Sequence, residues 1–204
     1  LRISATHSFA IKWLVPRLHR FTEQYPELDI RVDANDQRVA LDDDSTDIAI
    51  RYSKTVGDDA TVLFNEVLVV AYSPALLPPG RSDLTLADLP DFPLLYEGTT
   101  ASWIALLNAN KVLQQQYNFS RCYSHAGVLV QAAVAGQGIA LVPYTIAFED
   151  VAKGALKLLP CRSAPYDRSY CLLVNRFKEG MPKIAHFRSW IQGEMNAMAR
   201  MRPT

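Results

Sequence analysis

The chain has 204 residues, 49% of them hydrophobic, which is enough for one large domain or two small ones with substantial cores. Its 21 lysine and arginine residues balance 21 aspartate and glutamate residues, and the arginines form no run, which argues against direct binding of nucleic acid by this chain. No apolar segment reaches the roughly 20 residues that a membrane-spanning helix requires.

The start of the chain and its cysteines indicate a cellular setting. The N-terminus lacks the plan of a signal peptide and begins in a strand-like alternation at Leu1, which we interpret as a fragment of a longer protein. The three cysteines, Cys122, Cys161 and Cys171, lack the number and spacing of a disulfide framework or a zinc site. We therefore predict no metal, no cofactor and a reducing cytoplasmic location.

Strand and helix patterns alternate from the first residue onward. Residues 1–5 predict a strand, and apolar residues then recur at helical spacing from Phe9 to Phe21, with Pro16 predicting a kink or a late helix start. Further segments are predicted as a strand at 28–34, a turn at Asn35 and Asp36, a short helix at 38–41 and a strand at 47–51.

A second, similar series follows a loop rich in proline and glycine at residues 73–80. The predicted elements are strands at 93–96, 121–124, 139–142 and 156–159, and helices at 102–117 and 128–135. Extended segments at 66–72 and 170–175 flank this series, and a last helix begins at Pro182. Its apolar face comprises Ile184, Phe187, Ile191, Met195 and Met198.

This order predicts an α/β fold with two lobes joined by two crossover strands. Lobe I is discontinuous and comprises residues 1–72 and 175–204, because the last helix is expected to return to it. Lobe II comprises residues 73–174.

Residues 136–145, Gly-Gln-Gly-Ile-Ala-Leu-Val-Pro-Tyr-Thr, are the most informative stretch. The two glycines let the chain leave a buried helix and turn at once into a strand that is apolar on both faces. In the dinucleotide-binding fingerprint, glycines follow a strand and open a helix, whereas here the order is reversed. The stretch therefore indicates a tight helix-to-strand unit and argues against nucleotide binding.

Several segments, taken in order, resemble the effector-binding domain of LysR-type transcriptional regulators. They are Leu-Arg-Ile-Ser-Ala at 1–5, Trp-Leu-Val-Pro-Arg-Leu at 13–18, Asp-Ile-Ala-Ile-Arg-Tyr at 47–52, the stretch 132–143 and Phe-Arg-Ser-Trp at 187–190. Segments 13–18 and 49–52 are most similar to the branch that includes the activators of glycine cleavage and of inducible β-lactamase. The resemblance covers nearly the whole chain.

The resemblance implies a fold, a ligand and partners. The fold is a pair of Rossmann-like lobes similar to type 2 periplasmic binding proteins, with a small molecule held in the cleft between them. The implied protein is a dimer or tetramer that contacts promoter DNA only through a winged helix-turn-helix domain absent from this chain. The first helix, with Lys12, His19 and Arg20 beside Phe9, Trp13 and Leu18, would pack against a neighbouring subunit.

Candidate ligand-binding residues follow the predicted strands, because ligands of open α/β sheets bind outside the carboxyl ends of strands. The hydroxyl-rich loops among them suggest a polar, anionic metabolite. The candidates are Thr6, His7, Ser8, Asp36, Thr99, Thr100, Ser102, Trp103, His125 and Tyr144.

Plainer roles remain open for several of these residues. Ser8 could cap the first helix, at about 1 kcal/mol, and the resemblance adds that the matching serine contacts effectors. Asp36 could cap the predicted helix after it, and Trp103 could be a core residue. Arg51 could bind an anionic effector or form an ion pair with Asp47.

Catalysis has little support, because the sequence contains none of the common nucleophile, phosphate-loop or zinc-protease motifs. The acidic run at residues 42–44 is interpreted as a solvated turn. A solute-binding protein of a transporter is the alternative function. An enzyme on the same scaffold, such as a relative of porphobilinogen deaminase or prephenate dehydratase, is a third.

Overall fold

The computed structural model describes residues 1–57, 59–164 and 166–202 and divides the chain into two compact units. Unit 1 comprises Leu1–Glu66 together with the residues from Asp167 onward, and unit 2 comprises Val67–Tyr166. Each unit contains one five-stranded sheet. The last helix belongs to unit 1, as the sequence predicted, so this unit is built from both ends of the chain.

Unit 1 contains a mixed sheet in the order β2-β1-β3-β10-β4. Its strands are β1 (Arg2–Ala5), β2 (Arg31–Ala34), β3 (Ile48–Ser53), β4 (Ala60–Asn65) and β10 (Ser169–Val174). β1, β2 and β3 run parallel to one another, whereas β10 is antiparallel to both of its neighbours. The three parallel strands therefore end at one edge of the sheet.

The first helix of unit 1 changes its hydrogen-bonding pattern before Pro16. It starts as α1 (His7–Phe9), widens into a π-helix over Ala10–Leu14 and continues as α2 (Val15–Gln24). Proline has no N–H to donate, and its ring clashes with the carbonyl four residues earlier, so the chain accommodates it by widening the turn. The irregularity predicted at Pro16 is thus a π-helical turn, and the helix begins at its expected place.

An aromatic core joins this helix to α6 (Pro182–Arg200). The rings of Phe9 and Trp13 stack with centroids 5.0 Å apart, and Phe21 meets Phe187 edge to face at 5.3 Å. The Trp13 indole N–H donates to the sulfur of Met198 at 3.2 Å. All five apolar residues predicted for one face of α6 are buried, which explains why the end of the chain returns to unit 1.

The carboxylate of Asp47 holds three segments of unit 1 together. It lies immediately before β3, is 2% exposed, and accepts hydrogen bonds from the Arg2 amide at 2.9 Å and the ammonium groups of Lys178 at 2.9 Å and Lys183 at 2.6 Å. Burial alone would raise the pKa of Asp47, but the bonds from Lys183, Lys178 and the amide outweigh it and hold the pKa well below 3.8. The carboxylate therefore stays charged in the folded protein.

Unit 2 contains a mixed sheet in the order β7-β6-β8-β5-β9. Its strands are β5 (Leu68–Tyr72), β6 (Pro93–Glu97), β7 (Asn118–Tyr123), β8 (Ile139–Pro143) and β9 (Lys157–Leu159). Its α-helices are α3 (Ala101–Ala109), α4 (Ala126–Val134) and α5 (Tyr144–Ala152), and short 3₁₀ turns form at Pro74–Leu76 and Leu86–Asp91. β6 runs parallel to β7 and β8, and β5 is antiparallel to β8 and β9.

The glycines of the 136–145 stretch form the predicted turn from helix to strand. Gly136 adopts a left-handed conformation with φ +70°, and Gly138 has φ +156°. A Cβ atom at Gly138 would collide with the Pro93 carbonyl oxygen and lie 3.0 Å from Cδ2 of Leu95. Glycine is therefore required where α4 enters β8, because the backbone passes directly against β6.

Some predicted elements were wrong or missing. No helix forms at residues 38–41, and just before them the Asn35 carboxamide accepts from the Gln37 amide at 2.8 Å. β4 and α5 were not predicted. β2 begins at Arg31, later than expected, and α3 ends at Ala109, after which Lys111 adopts a left-handed conformation with φ +59°.

The unit boundaries differ from the sequence prediction, which gave residues 1–72 and 175–204 to one lobe and 73–174 to the other. β5 pairs with β8 and β9 of unit 2, and β10 pairs with β3 and β4 of unit 1. Of the two predicted crossover strands, β5 therefore belongs to unit 2 and β10 to unit 1, whereas the sequence predicted the opposite for each.

We predict that Asp47→Asn lowers the free energy of unfolding by about 3 kcal/mol, because two ammonium groups lose their buried counter-charge. Asp44→Asn is the matched control. Its carboxylate also meets Lys178, at 3.2 Å, but is 98% exposed, so a change below about 0.5 kcal/mol is expected. Urea titration at pH 7 measures both values.

The pH dependence of the wild type provides a second readout of the same carboxylate. Because folding lowers the pKa of Asp47, its contribution is complete above the unfolded value of 3.8 and is lost as the pH falls through and below 3.8. The Asp47→Asn protein should lose less stability over this acid range. Equal losses in both proteins would contradict the assignment.

We also predict that Gly138→Ala lowers the free energy of unfolding by about 3 kcal/mol, because the methyl group has no space beside β6. Gly136→Ala is the comparison, since its Cβ would meet only Cδ2 of Leu76 at 4.0 Å. There we expect about 1 kcal/mol, from the left-handed backbone alone. Equal costs in urea titration would contradict the close approach.

Candidate functional site

In unit 1, the predicted residues Thr6, His7, Ser8 and Asp36 lie at the carboxyl ends of the parallel strands. β1 ends at Ala5, and Thr6 occupies the N-cap position of α1 without a hydrogen bond from its side chain to the helix. Ser8 lies inside the first turn, so the expectation that it caps the helix was wrong. Thr6 and Ser8 are half-buried, whereas His7 and Asp36 are exposed.

Asp36 caps the first helix from the neighbouring strand. One of its carboxylate oxygens accepts the His7 backbone N–H at 3.0 Å, and the other lies 2.9 Å from Nδ1 of the His7 ring. We expected Asp36 to cap a helix after it, but no helix follows. Because β2 pairs in parallel with β1, the Asp36 carboxylate after β2 lies beside the start of the helix after β1, where it accepts the His7 amide 29 residues earlier in the chain.

Arg51 lies near the end of β3 and is anchored to β1. Its guanidinium donates to the Ser4 hydroxyl at 2.8 Å, the Ser4 carbonyl at 3.1 Å and the Ile50 carbonyl at 2.9 Å. Burial lowers the pKa of Arg51, partly opposed by the carboxylates of Asp36 and Asp33. The ion pair expected with Asp47 does not form, since Asp47 lies at the other end of β3 and bonds to Lys178 and Lys183.

In unit 2, two helices begin at the ends of adjacent parallel strands. Thr99 and Thr100 connect β6 to α3, with Gly98 in a left-handed conformation at φ +65°, and Ser124 and His125 connect β7 to α4. Thr100 and His125 occupy the N-cap positions, and neither side chain caps its helix. The Ser124 hydroxyl lies 2.7 Å from Nδ1 of His125.

Exposure separates the candidates of unit 2. Thr99 and His125 are exposed, and Thr100 and Ser102 are half-buried, so these four line the edge of the sheet. Trp103 is 1% exposed and donates its indole N–H to the Leu95 carbonyl at 2.8 Å, which gives it the core role. Tyr144 is 2% exposed and stacks edge to face with Phe148 at 5.7 Å.

The acidic residues 42–44 form a turn, as predicted. Asp43 accepts hydrogen bonds from the amide and hydroxyl of Ser45, and the carboxylate of Asp44 pairs with Lys178. Among residues 1–57, 59–164 and 166–202, no group of three His, Cys, Asp or Glu side chains is placed to hold a metal ion. Within the same residues, no helix is long and apolar enough to span a membrane.

A cavity of about 500 Å³ lies at the opposite edge of the unit 1 sheet, at the amino ends of β1 and β2. Its wall includes Asp47, Lys178 and Lys183, the charges of the ion cluster, and Arg2, whose backbone amide bonds to Asp47. Because these charges already satisfy one another, we assign the cavity a structural role. Sequence reasoning did not anticipate it.

The profile of one protein family, described as the LysR substrate binding domain, matches residues 1–196. The chain belongs to this family. Its two α/β units and their strand orders have the type 2 periplasmic-binding-protein-like fold of LysR effector-binding domains. The family and the fold class inferred from the sequence are thereby confirmed.

Individual LysR-family relatives support the same conclusion. The glycine cleavage system transcriptional activator of Escherichia coli K12 is 32% identical over 197 residues, covering 94% of this chain and 63% of that protein. The Haemophilus influenzae homolog of that activator is 30% identical, covering 94% of this chain and 64% of that protein. The chain therefore spans a little under two thirds of the length of these transcriptional activators.

Solved structures of the family have the same fold. The effector domain of the transcriptional regulator AmpR from Pseudomonas aeruginosa superposes with a TM-score of 0.75 at 24% identity, covering 99% of this chain and 98% of that one. The AmpR effector binding domain from Citrobacter freundii gives a TM-score of 0.73 at 23% identity, covering 97% and 98%. At this level of sequence identity, the similarity shows that the fold is the same and does not identify a ligand.

Proposed function

We propose that this LysR-family domain senses a small polar, negatively charged metabolite and passes the binding signal to a DNA-reading domain outside this chain. The proposal places the metabolite at the carboxyl ends of the parallel strands, where the candidate residues lie. The relatives are named as transcriptional activators, which supports regulation as the role of the whole protein. The resemblance to such regulators also supports a cytoplasmic location.

The observation that carries the proposal is the pair of helix N-termini in unit 2. α3 and α4 follow the adjacent strands β6 and β7, and neither N-cap side chain caps its helix, although the Ala101 amide donates to the Thr99 hydroxyl at 3.5 Å. The helix dipole favours a negative group at such a position. In this proposal, the hydroxyls of Thr99, Thr100 and Ser102 donate hydrogen bonds to the same group.

We propose further that the domain binds its ligand without converting it. The relatives carry the names of regulators, and those candidate residues of unit 2 that are not buried are three hydroxyl residues and one histidine bonded to Ser124. Such groups bind and orient a metabolite. Detection of turnover with any stabilising metabolite would contradict this part of the proposal.

To test sensing, we propose to follow thermal unfolding of the purified domain with a panel of carboxylate and phosphate metabolites. A ligand that binds only the folded state at 100 times its Kd adds about 2.7 kcal/mol of stability. In Thr100→Val and Ser102→Ala proteins, this gain should fall by at least half. Ser189→Ala on the exposed face of α6 is the control and should keep the full gain.

Either of two results would contradict the assignment. If no compound of the panel raises the unfolding temperature of the wild type, the proposal that the domain senses an anionic metabolite is contradicted. Alternatively, a stabilising metabolite could act equally on the wild type and on both unit 2 variants, in which case the binding residues are wrong.

We also propose that the domain self-associates through its first helix. Of the apolar residues expected on the partner face, Phe9 and Trp13 are buried in the core instead. The exposed apolar side chains of this helix are Ile11 at 65% and Val15 at 54%, beside Lys12. Exposed apolar residues ringed by polar ones are typical of protein interfaces.

We predict that the domain is a dimer at high concentration and that Ile11→Glu weakens the dimer at least tenfold, because the new charge would be buried at the interface. Phe177→Glu is the control, since Phe177 is similarly exposed at 68% but lies outside the first helix. Sedimentation equilibrium measures both. A wild-type monomer, or equal weakening by both changes, would contradict the proposed interface.

A further inference from the structure

Arg51 is a half-buried cation on the central strand of the unit 1 sheet. It lies on β3, one residue beyond Ile50, whose register partner is Ala5 at the carboxyl end of β1. In the part of the chain that the structure describes, no carboxylate lies within ion-pair distance of its guanidinium. Asp36 and Asp33 act on it only from farther away. The charge of Arg51 is therefore not neutralised by direct contact.

Arg17, a more deeply buried arginine of the same unit, has the opposite kind of surroundings. Its Nε atom lies 3.9 Å from the Glu194 carboxylate, and its guanidinium lies over the Trp13 ring at 4.9 Å from the ring centroid. Burial of a charge is strongly unfavourable unless a partner of opposite charge approaches it. Arg51 has neutral partners instead, so an anion from outside the protein would supply the missing counter-charge.

The hydrogen bonds of Arg51 fix its guanidinium and leave one edge of it without acceptors. Nη1 donates to the carbonyls of Ser4 and Ile50, and Nη2 donates to the Ser4 hydroxyl at 2.8 Å. The remaining protons are the second one on Nη2 and the one on Nε, a buried atom with no partner among the described residues. Because the guanidinium is planar and its Nη1–Nη2 edge faces Ser4, these two protons lie side by side.

We propose that this edge of Arg51 is an oxyanion site of unit 1, which binds a carboxylate or a phosphate group by two parallel hydrogen bonds. The site is formed by residues of unit 1 alone and does not depend on the one proposed for the helix N-termini of unit 2. Two parallel N–H donors match the spacing of two carboxylate or phosphate oxygens. Arg51 is half-buried, so solvent still reaches part of its side chain, and the ligand enters from there.

Two neighbours of Arg51 act on the proposed site in opposite directions. Ser4 is 1% exposed and holds the guanidinium with both its hydroxyl and its carbonyl, which fixes the direction of the two remaining donors. Asp33 is the register partner of Ser4 in β2, and its exposed carboxylate opposes the binding of an anion at Arg51. Removal of the Asp33 charge should therefore strengthen anion binding, an effect that a purely structural role of Arg51 would not produce.

The test follows the Nε–H resonance of Arg51 by NMR while acetate or methyl phosphate is added to the domain. Arg51→Lys removes this resonance and so assigns it. We expect a saturable shift with at least one of the two oxyanions. Chloride at the same ionic strength should give no such shift, because it offers no pair of oxygens. The separate acetate and methyl phosphate titrations distinguish a carboxylate site from a phosphate site.

Substitutions assign the binding to the named groups, with Kd measured from the backbone amide resonance of Ser4. In Arg51→Lys, Kd for the oxyanion should rise about tenfold, because lysine keeps the charge but cannot form two parallel bonds. In Asp33→Asn, Kd should fall about threefold, since an opposing charge is removed. Arg31→Lys is the matched control, because Arg31 pairs with Asp29 at the surface at 3.2 Å, and it should leave Kd unchanged.

Several outcomes would overturn the inference. The Arg51 resonance could stay in place with both oxyanions or shift equally with chloride, or Kd could be the same in Arg51→Lys as in the wild type. If Arg51→Lys does not fold, Asp33→Asn decides, because an unchanged Kd there contradicts an anion at Arg51. Thr100→Val in unit 2 should leave the titration unchanged, so failure of this site and failure of the sensing function proposed above are distinguishable. An equal loss of binding in Thr100→Val and Arg51→Lys would contradict a site formed by unit 1 alone.

Discussion

The buried carboxylate of Asp47 is the interaction on which unit 1 depends. It is bonded to the amide at the start of β1 and to two lysines at the start of the C-terminal segment, residues that are 45, 131 and 136 positions away in sequence. An uncompensated charge at 2% exposure would be strongly destabilising, so the three segments must assemble together. This coupling closes the unit although a whole second unit is inserted in its chain. The aromatic contacts between the first helix and α6 then complete the core on one face of the sheet.

The parallel strands of each sheet decide where polar residues gather. Because β1, β2 and β3 share one direction, the loops that follow them meet at one edge, and the same holds for β6, β7 and β8. The buried ion cluster lies at the opposite edge of unit 1. The charges that stabilise unit 1 therefore lie at the end of the strands opposite to the loops for which we propose ligand binding.

The sequence pattern predicted most elements and failed where local signals are weak. Apolar periodicity located the first helix, α4, β8 and α6, because each of these elements buries one face or both in a core. The helix predicted at residues 38–41 does not form, and the segment is flanked by local turns in which the Asn35 and Asp43 side chains accept from the amides of Gln37 and Ser45. α5 was not predicted, although Pro143 immediately precedes it and proline suits the entrance to a helix. The candidate residues lie just after strand ends, but Trp103 and Tyr144 are buried and therefore do not lie on the exposed edge.

The two-unit α/β organisation, the glycine turn at Gly136 and Gly138 and the family could be inferred from the amino-acid sequence, because they depend on local patterns and on the order of those patterns. The partners of individual charges became known only from the folded structure. In the folded structure, Asp36 accepts the amide of His7 at the start of the first helix, and Arg51 bonds to Ser4. Asp47 pairs with Lys178 and Lys183. β5 lies in the sheet of unit 2 and β10 in the sheet of unit 1, the reverse of the lobes predicted for them. The physical reason is the same in each case: strand pairing brings together residues far apart in the chain, and no local pattern records which of them will meet.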